Sequence, residues 1–197
     1  MSNLDTLVRG RKGGTMPDTD ENWDRLKAEI DKDKQIAAVY LLDYAALLKD
    51  YRETKAEFLM RSRTGGERVG GKSNLPGSTT ERAAINSATY DERQDGYYWL
   101  TAVHVVECGL SERKKLFLEA RRQVEARNKN TRGHKAWVCA TQFKFIDKIK
   151  RRDIDSRAWV SERTVQTYWA DIVGRVVEIH TRLVLEKYGN RNNPKKN

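Results

Sequence analysis

From Trp23 to Met60 the chain contains neither glycine nor proline, the two residues that most often end helices. Apolar side chains recur through this stretch at Leu26, Ile30, Ala37, Leu41, Tyr44, Leu48 and Tyr51, in steps of three, four or seven. A second line runs through Ala37, Tyr40, Tyr44, Leu47, Tyr51 and Phe58. This is helix periodicity with heptad character, and Asp20 or Asn22 is placed to cap its start. A single helix of that length would reach roughly 55 Å at 1.5 Å per residue, more than a small domain covers. The apolar stripe therefore needs a partner, and the simplest is a second copy of the same helix. Packing into the chain's own core is the alternative.

The rest of the chain reads as helix too. "STTERAAINSATYDERQDGYYWLTAVHVVECGL" opens with a capping signal at Ser78 or Thr79, and its apolar positions include Ala84, Ile85, Trp99, Leu100, Val103, Val105 and Val106. It is expected to be interrupted near Gly96 and to end at Gly109. "SERKKLFLEARRQVEAR" is capped by Ser111, with Leu116, Leu118, Ala120 and Val124 inward. "KAWVCATQFKFIDKIKRR" places Trp137, Val138, Phe143, Ile146 and Ile149 on its apolar face. A last helix runs from Ser161 to about Lys187. No useful strand-like alternation occurs, so the expected fold is all-α. Its expected parts are a disordered residue 1–20 segment, a long oligomerisation helix over 21–60 and a Gly-rich linker over 61–78. A DNA-binding domain over 79–188 and a polar tail over 189–197 follow.

The linker holds "GERVGGKS", Gly66 to Ser73, which spells a phosphate-binding P-loop. Such a loop needs a strand before it and a helix starting at its Lys-Ser. Here the end of a long helix precedes it, and Pro76 and Gly77 follow. Nucleotide hydrolysis is not expected. His104, Cys108, His134 and Cys139 could in principle form a Cys2His2 zinc site, but the paired close spacing of zinc modules is absent and buried thiols are the commoner reading. No catalytic constellation appears, so the chain is read as a non-enzyme with no cofactor and no metal. His180 is read as a packing or surface residue. No run approaches the roughly 20 apolar residues of a membrane span, and the N-terminus lacks a signal-peptide core. These features lead to the expectation of a soluble, cytoplasmic protein with no membrane partner.

Charge placement carries the functional signal. Residues 1–110 hold 16 Lys/Arg against 18 Asp/Glu, whereas residues 111–157 hold 15 against 6. A basic segment of this kind, set just before a helix, is the footprint of a polyanion binder. The helix that follows begins "VSERTVQTYW". On projection, Val165, Tyr168 or Trp169, Ile172, Val176 and Ile179 share one stripe, and Glu162, Arg163, Gln166, Thr167 and Ala170 share another. Arg suits guanine, Gln suits adenine, and Thr reaches a thymine methyl or a phosphate. Arg163, Gln166 and Thr167 are thus the candidate base readers. Ser161, Thr164, Arg157, Lys148, Arg151 and Arg152 are the candidate phosphate contacts. Trp159 is expected to pack back on the first turn of the last helix, as the residue preceding its cap.

The segments "GGKSN…TERAAI", "SERKKLFLEARR" and "SERTVQTYWADIVGRVVEIH" resemble the ArpU/RinA-type phage transcriptional regulators. The C-terminal part is similar to promoter-reading region four of sigma factors. In that comparison Tyr97 to Glu107 and Ser111 to Arg122 resemble the first helices of the region, and Ser161 to Trp169 resembles the recognition helix. The resemblance spans about residues 70–185. It departs from the compact sigma form in the long stretch between "LFLEARR" and the last helix. It implies activation of late phage genes through promoter DNA and host RNA polymerase. The residues themselves point to a sequence-specific binder of double-stranded DNA acting as a homodimer. Two rival readings are a terminase small-subunit-like packaging protein and an RNA-polymerase adaptor with little DNA specificity.

Overall fold

The computed structural model describes residues 19–64, 79–128, 136–152 and 159–191. Seven helices account for almost all of these: α1 (Thr19–Leu42), α2 (Tyr44–Thr64), α3 (Thr79–Arg93), α4 (Asp95–Gly109), α5 (Glu112–Asn128), α6 (Ala136–Arg151) and α7 (Glu162–Arg191). There is no strand among the described residues, and the fold is all-α. The chain parts into two units, Met1–Asp33 and Lys34–Asn197. The first contributes the start of α1, where Trp23, Leu26 and Ile30 are all exposed.

In the second unit, α4 packs on α7 and α5 on α6. The largest fully buried side chains are Phe117 of α5, Phe145 and Ile149 of α6, Ile172 of α7 and Leu41 of α1. Phe117 meets Phe145 edge to face at 5.5 Å and Tyr168 at 5.7 Å, which joins three helices at one aromatic centre. Trp99 of α4 lies flat on His180 of α7 at 3.5 Å, so His180 is a packing residue. Tyr40 of α1 stacks on the same tryptophan at 6.0 Å. Gly96 makes room for that tyrosine: a Cβ there would lie 3.0 Å from Tyr40 Oη.

The expected single helix over Trp23 to Met60 is broken at Asp43. Arg122 of α5 supplies the physical reason. Its Nε donates to Leu41 O at 2.7 Å, a carbonyl that an unbroken helix would reserve for the amide four residues on. The same guanidinium pairs with Glu107 and lies over the Tyr44 ring at 5.7 Å. On both sides of the break the apolar stripe is used within this chain. Ala37 and Leu41 are fully buried in the core, and Tyr44 packs against it. Leu48 is half-buried. Tyr51 packs its ring on Tyr90 and Tyr97, and its hydroxyl donates to Asp91. Burial, followed by that bond to a carboxylate, pushes the Tyr51 phenol well above its ordinary range. Lys55 holds the same carboxylate with contacts at 2.6 and 2.7 Å. Of the seven residues assigned to self-association, Ala37, Leu41, Tyr44 and Tyr51 are therefore corrected to intrachain packing, while Leu26 and Ile30 stay exposed.

Other boundaries also shift. Helix α2 continues to Thr64, so the linker does not begin at 61, and α7 continues through Gly189 to Arg191. The α3–α4 interruption falls at Gln94, two residues before the glycine expected to cause it. Ile85 and Val105, placed on apolar positions above, are exposed. The division at residue 79 is corrected as well, because α2 and the end of α1 belong to the same unit as α4–α7. The segment "GERVGGKS", His134, Arg157 and the residue 1–18 segment lie outside the described residues.

Candidate nucleic-acid interface

The start of α7 is fixed by three local devices. Ser161 is the N-cap: its Oγ accepts the Thr164 amide at 3.1 Å, and its carbonyl accepts the Val165 amide at 3.2 Å. Val160 and Val165, the residues just before the cap and four after it, are both buried in the core as a hydrophobic staple. The Val160 carbonyl accepts Gln142 Nε2 at 2.6 Å in a buried bond that ties α6 to the entry of α7. Trp159 does not perform the stapling assigned to it. It is 77% exposed, because Val160 occupies the inward position next to the cap. We expect Gln142→Leu to strip the buried Val160 carbonyl of this partner and lower stability by about 1–2 kcal/mol. Chemical denaturation compared with the parent chain measures this, and an unchanged midpoint would contradict it.

Further along α7, the inward edge is locked from two sides. Arg121 of α5 is buried with its guanidinium 4.5 Å from the Trp137 ring and 5.3 Å from the Trp169 ring. Lys114 of α5 bonds to Asp171, and its ammonium holds that carboxyl below the usual carboxylate range. Asp171 also takes Arg175 at 3.3 Å. Val165, Ile172 and Val176 are fully buried along this edge.

The other edge carries Glu162, Arg163, Gln166, Thr167 and Ala170, all exposed. Arg163 and Gln166 have no side-chain partner among the described residues. Thr167 Oγ1 donates to Arg163 O at 2.8 Å, so its proton is spent on the backbone while its methyl and lone pairs face outward. As a candidate base reader, Thr167 would be left to offer its methyl to a thymine or its lone pairs to a donor on a base edge, not a proton to a phosphate. Ser161 Oγ and Thr164 Oγ1 lie 2.9 Å apart and share one hydroxyl proton, so the pair offers a phosphate one proton rather than two.

The expected phosphate cations are less free than their sequence suggests. Lys148 Nζ sits 2.6 Å from Glu119 Oε1 of α5 and is only 17% exposed, whereas Glu119 is 47% exposed. Arg151 pairs with Asp147 at 3.0 Å, and Arg152 with Glu112 at 2.5 Å. These cations come together around a cleft of about 250 Å³ between α5 and α6, lined also by Gln123 and Lys144 and closed below by Leu116. Lys144 and Gln123 were not among the sequence candidates. The i, i+4, i+7 spacing of Lys144, Lys148 and Arg151 was the signal available for the first of them. On the next face of α6, Phe143 is 66% exposed and Phe145 fully buried, the reverse of the expected inward position for Phe143.

His104 Nε2 and Cys108 Sγ lie 3.8 Å apart on α4, and Cys139 is exposed on α6. Among the described residues no group of three or more His, Cys, Asp or Glu side chains is arranged to hold a metal ion. No described helix is long and apolar enough to cross a membrane. No family model, no curated protein and no solved structure matches the chain.

Proposed function

We propose that the protein is a sequence-specific double-stranded DNA-binding transcription regulator that reads its site with the first turns of α7. One observation carries this reading. A capped helix has one edge sunk in the core, and on its other edge Arg163 and Gln166 stand exposed without side-chain partners among the described residues. A helix held that rigidly, with an Arg and a Gln one turn apart, suits the major groove, where the two residue types match guanine and adenine. Helix α6 and the bond from Gln142 to Val160 serve as the preceding half of a helix-turn-helix. The likeness of the sequence to phage late-gene regulators supports an activator that works with host RNA polymerase. The exposed Leu26 and Ile30 support self-association through the beginning of α1, as a homodimer reading two half-sites.

Selection of bound duplexes from a random library at about 150 mM salt, which suppresses purely electrostatic binding, tests the reading. The expected result is one enriched motif that Gln166→Ala loses or alters. Binding without enrichment, fading as salt rises, would instead favour the packaging or adaptor reading.

A further inference from the structure

Beside the cleft between α5 and α6, a carboxylate that does not itself line the cavity holds two of the side chains that do. Glu119 Oε1 accepts from Lys148 Nζ at 2.6 Å and from Gln123 Nε2 at 3.4 Å. Lys144, one turn before Lys148, lines the same cavity and has no ion pair among the described residues. Arg151 and Arg152 complete the wall, and Asp147, turned to Arg151, is the one carboxylate lining it among the described residues. Two ammonium groups, two guanidinium groups and an amide facing one small cavity form a donor set for a tetrahedral oxyanion.

The two halves of the Lys148–Glu119 pair are not equally held. Lys148 is packed between the helices, while Glu119 is nearly half exposed and is free to swing into water. We propose that this cleft is a phosphate-binding site and that Glu119, from beside it, competes for two of its donors. On binding, a phosphate oxygen takes over the Lys148 and Gln123 donors, Lys144 and Arg151 flank the group, and the Glu119 carboxylate turns out to solvent. The favoured source of that phosphate, a backbone phosphodiester of duplex DNA, rests on the function proposed above. The site itself requires only the anion. Glu119 then lowers affinity for every sequence alike, which restrains non-specific binding and leaves discrimination to the edge of α7.

The test uses the full chain with two single variants, Glu119→Gln and Lys144→Ala, each titrated with a motif duplex and a scrambled duplex over a salt series. Glu119→Gln is expected to bind both duplexes about two- to fivefold more tightly, the scale of removing one partly exposed competing ion pair. Lys144→Ala is expected to weaken both and to lower the salt slope by about 1. A parallel thermal-shift series with inorganic phosphate separates the sources. If phosphate raises the melting temperature, and more so in Glu119→Gln, while neither variant changes duplex affinity, the ligand is a small phosphorylated molecule instead. Unchanged duplex binding together with no response to phosphate overturns the site. None of these readouts depends on sequence preference, so the site can fail while motif enrichment persists, and hold where enrichment is absent.

Discussion

Phe117→Ala is expected to cost about 3–5 kcal/mol of folding stability, the range for removing a fully buried aromatic ring from a core that cannot collapse around the gap. The ring is completely enclosed and makes edge-to-face contacts with Phe145 and Tyr168, so its loss opens a cavity bordered by α5, α6 and α7 together. Domains are typically stable by only about 5–15 kcal/mol, so a loss of this size is a large part of the total. The measurement is a shift of the denaturant midpoint at unchanged slope. A loss below about 1 kcal/mol would mean that the three helices do not meet at this ring. If the proposed reading holds, DNA binding should fall with the fraction folded, because Tyr168 belongs to the helix proposed to read the site.

Arg163→Ala should behave in the opposite way. The side chain is exposed and makes no bond among the described residues, so the unfolding midpoint should stay within about 0.5 kcal/mol of the parent. Its cost should appear in recognition, as a loss of about 1–3 kcal/mol on the preferred duplex with little change on a scrambled one. Titration of both duplexes under the same salt conditions decides the matter. Equal weakening on both would make Arg163 a phosphate contact, and no weakening on either would remove it from the interface. Lys148→Ala offers a contrast: with its ammonium held by Glu119 between two helices, it reports on α5–α6 packing as much as on DNA.

Helix periods and end signals made much of this fold legible in the sequence. The buried edge of α7 was readable because Val165, Ile172 and Val176 repeat at helical spacing beside polar neighbours. On α6 the pattern misled. Phe143 and Phe145 are both apolar but lie about 200° apart around a helix, and the inward face also uses Thr141 and Gln142, which nothing local marks as buried. The place of Trp159 was in fact recoverable, since a Ser161 cap puts Val160, not Trp159, in the stapling position. The Lys148–Glu119 and Arg152–Glu112 pairs were not recoverable, because each joins residues far apart in sequence and depends on how α5 lies along α6. The break at Asp43 was equally hidden, since its cause, Arg122, sits on another helix.

The bond from Arg122 to Leu41 also bears on how the chain can be dissected. Ala37 and Leu41 fill the core from before the glycine-rich stretch, and Arg122 reaches back across that stretch to a carbonyl beside them. A fragment begun at Thr79 would remove both side chains from the core and leave the Arg122 guanidinium without that acceptor. A fragment that keeps the core whole has to begin at about Lys34. The helices that end at Thr64 and begin at Thr79 thus belong to one folding unit rather than to two separable modules.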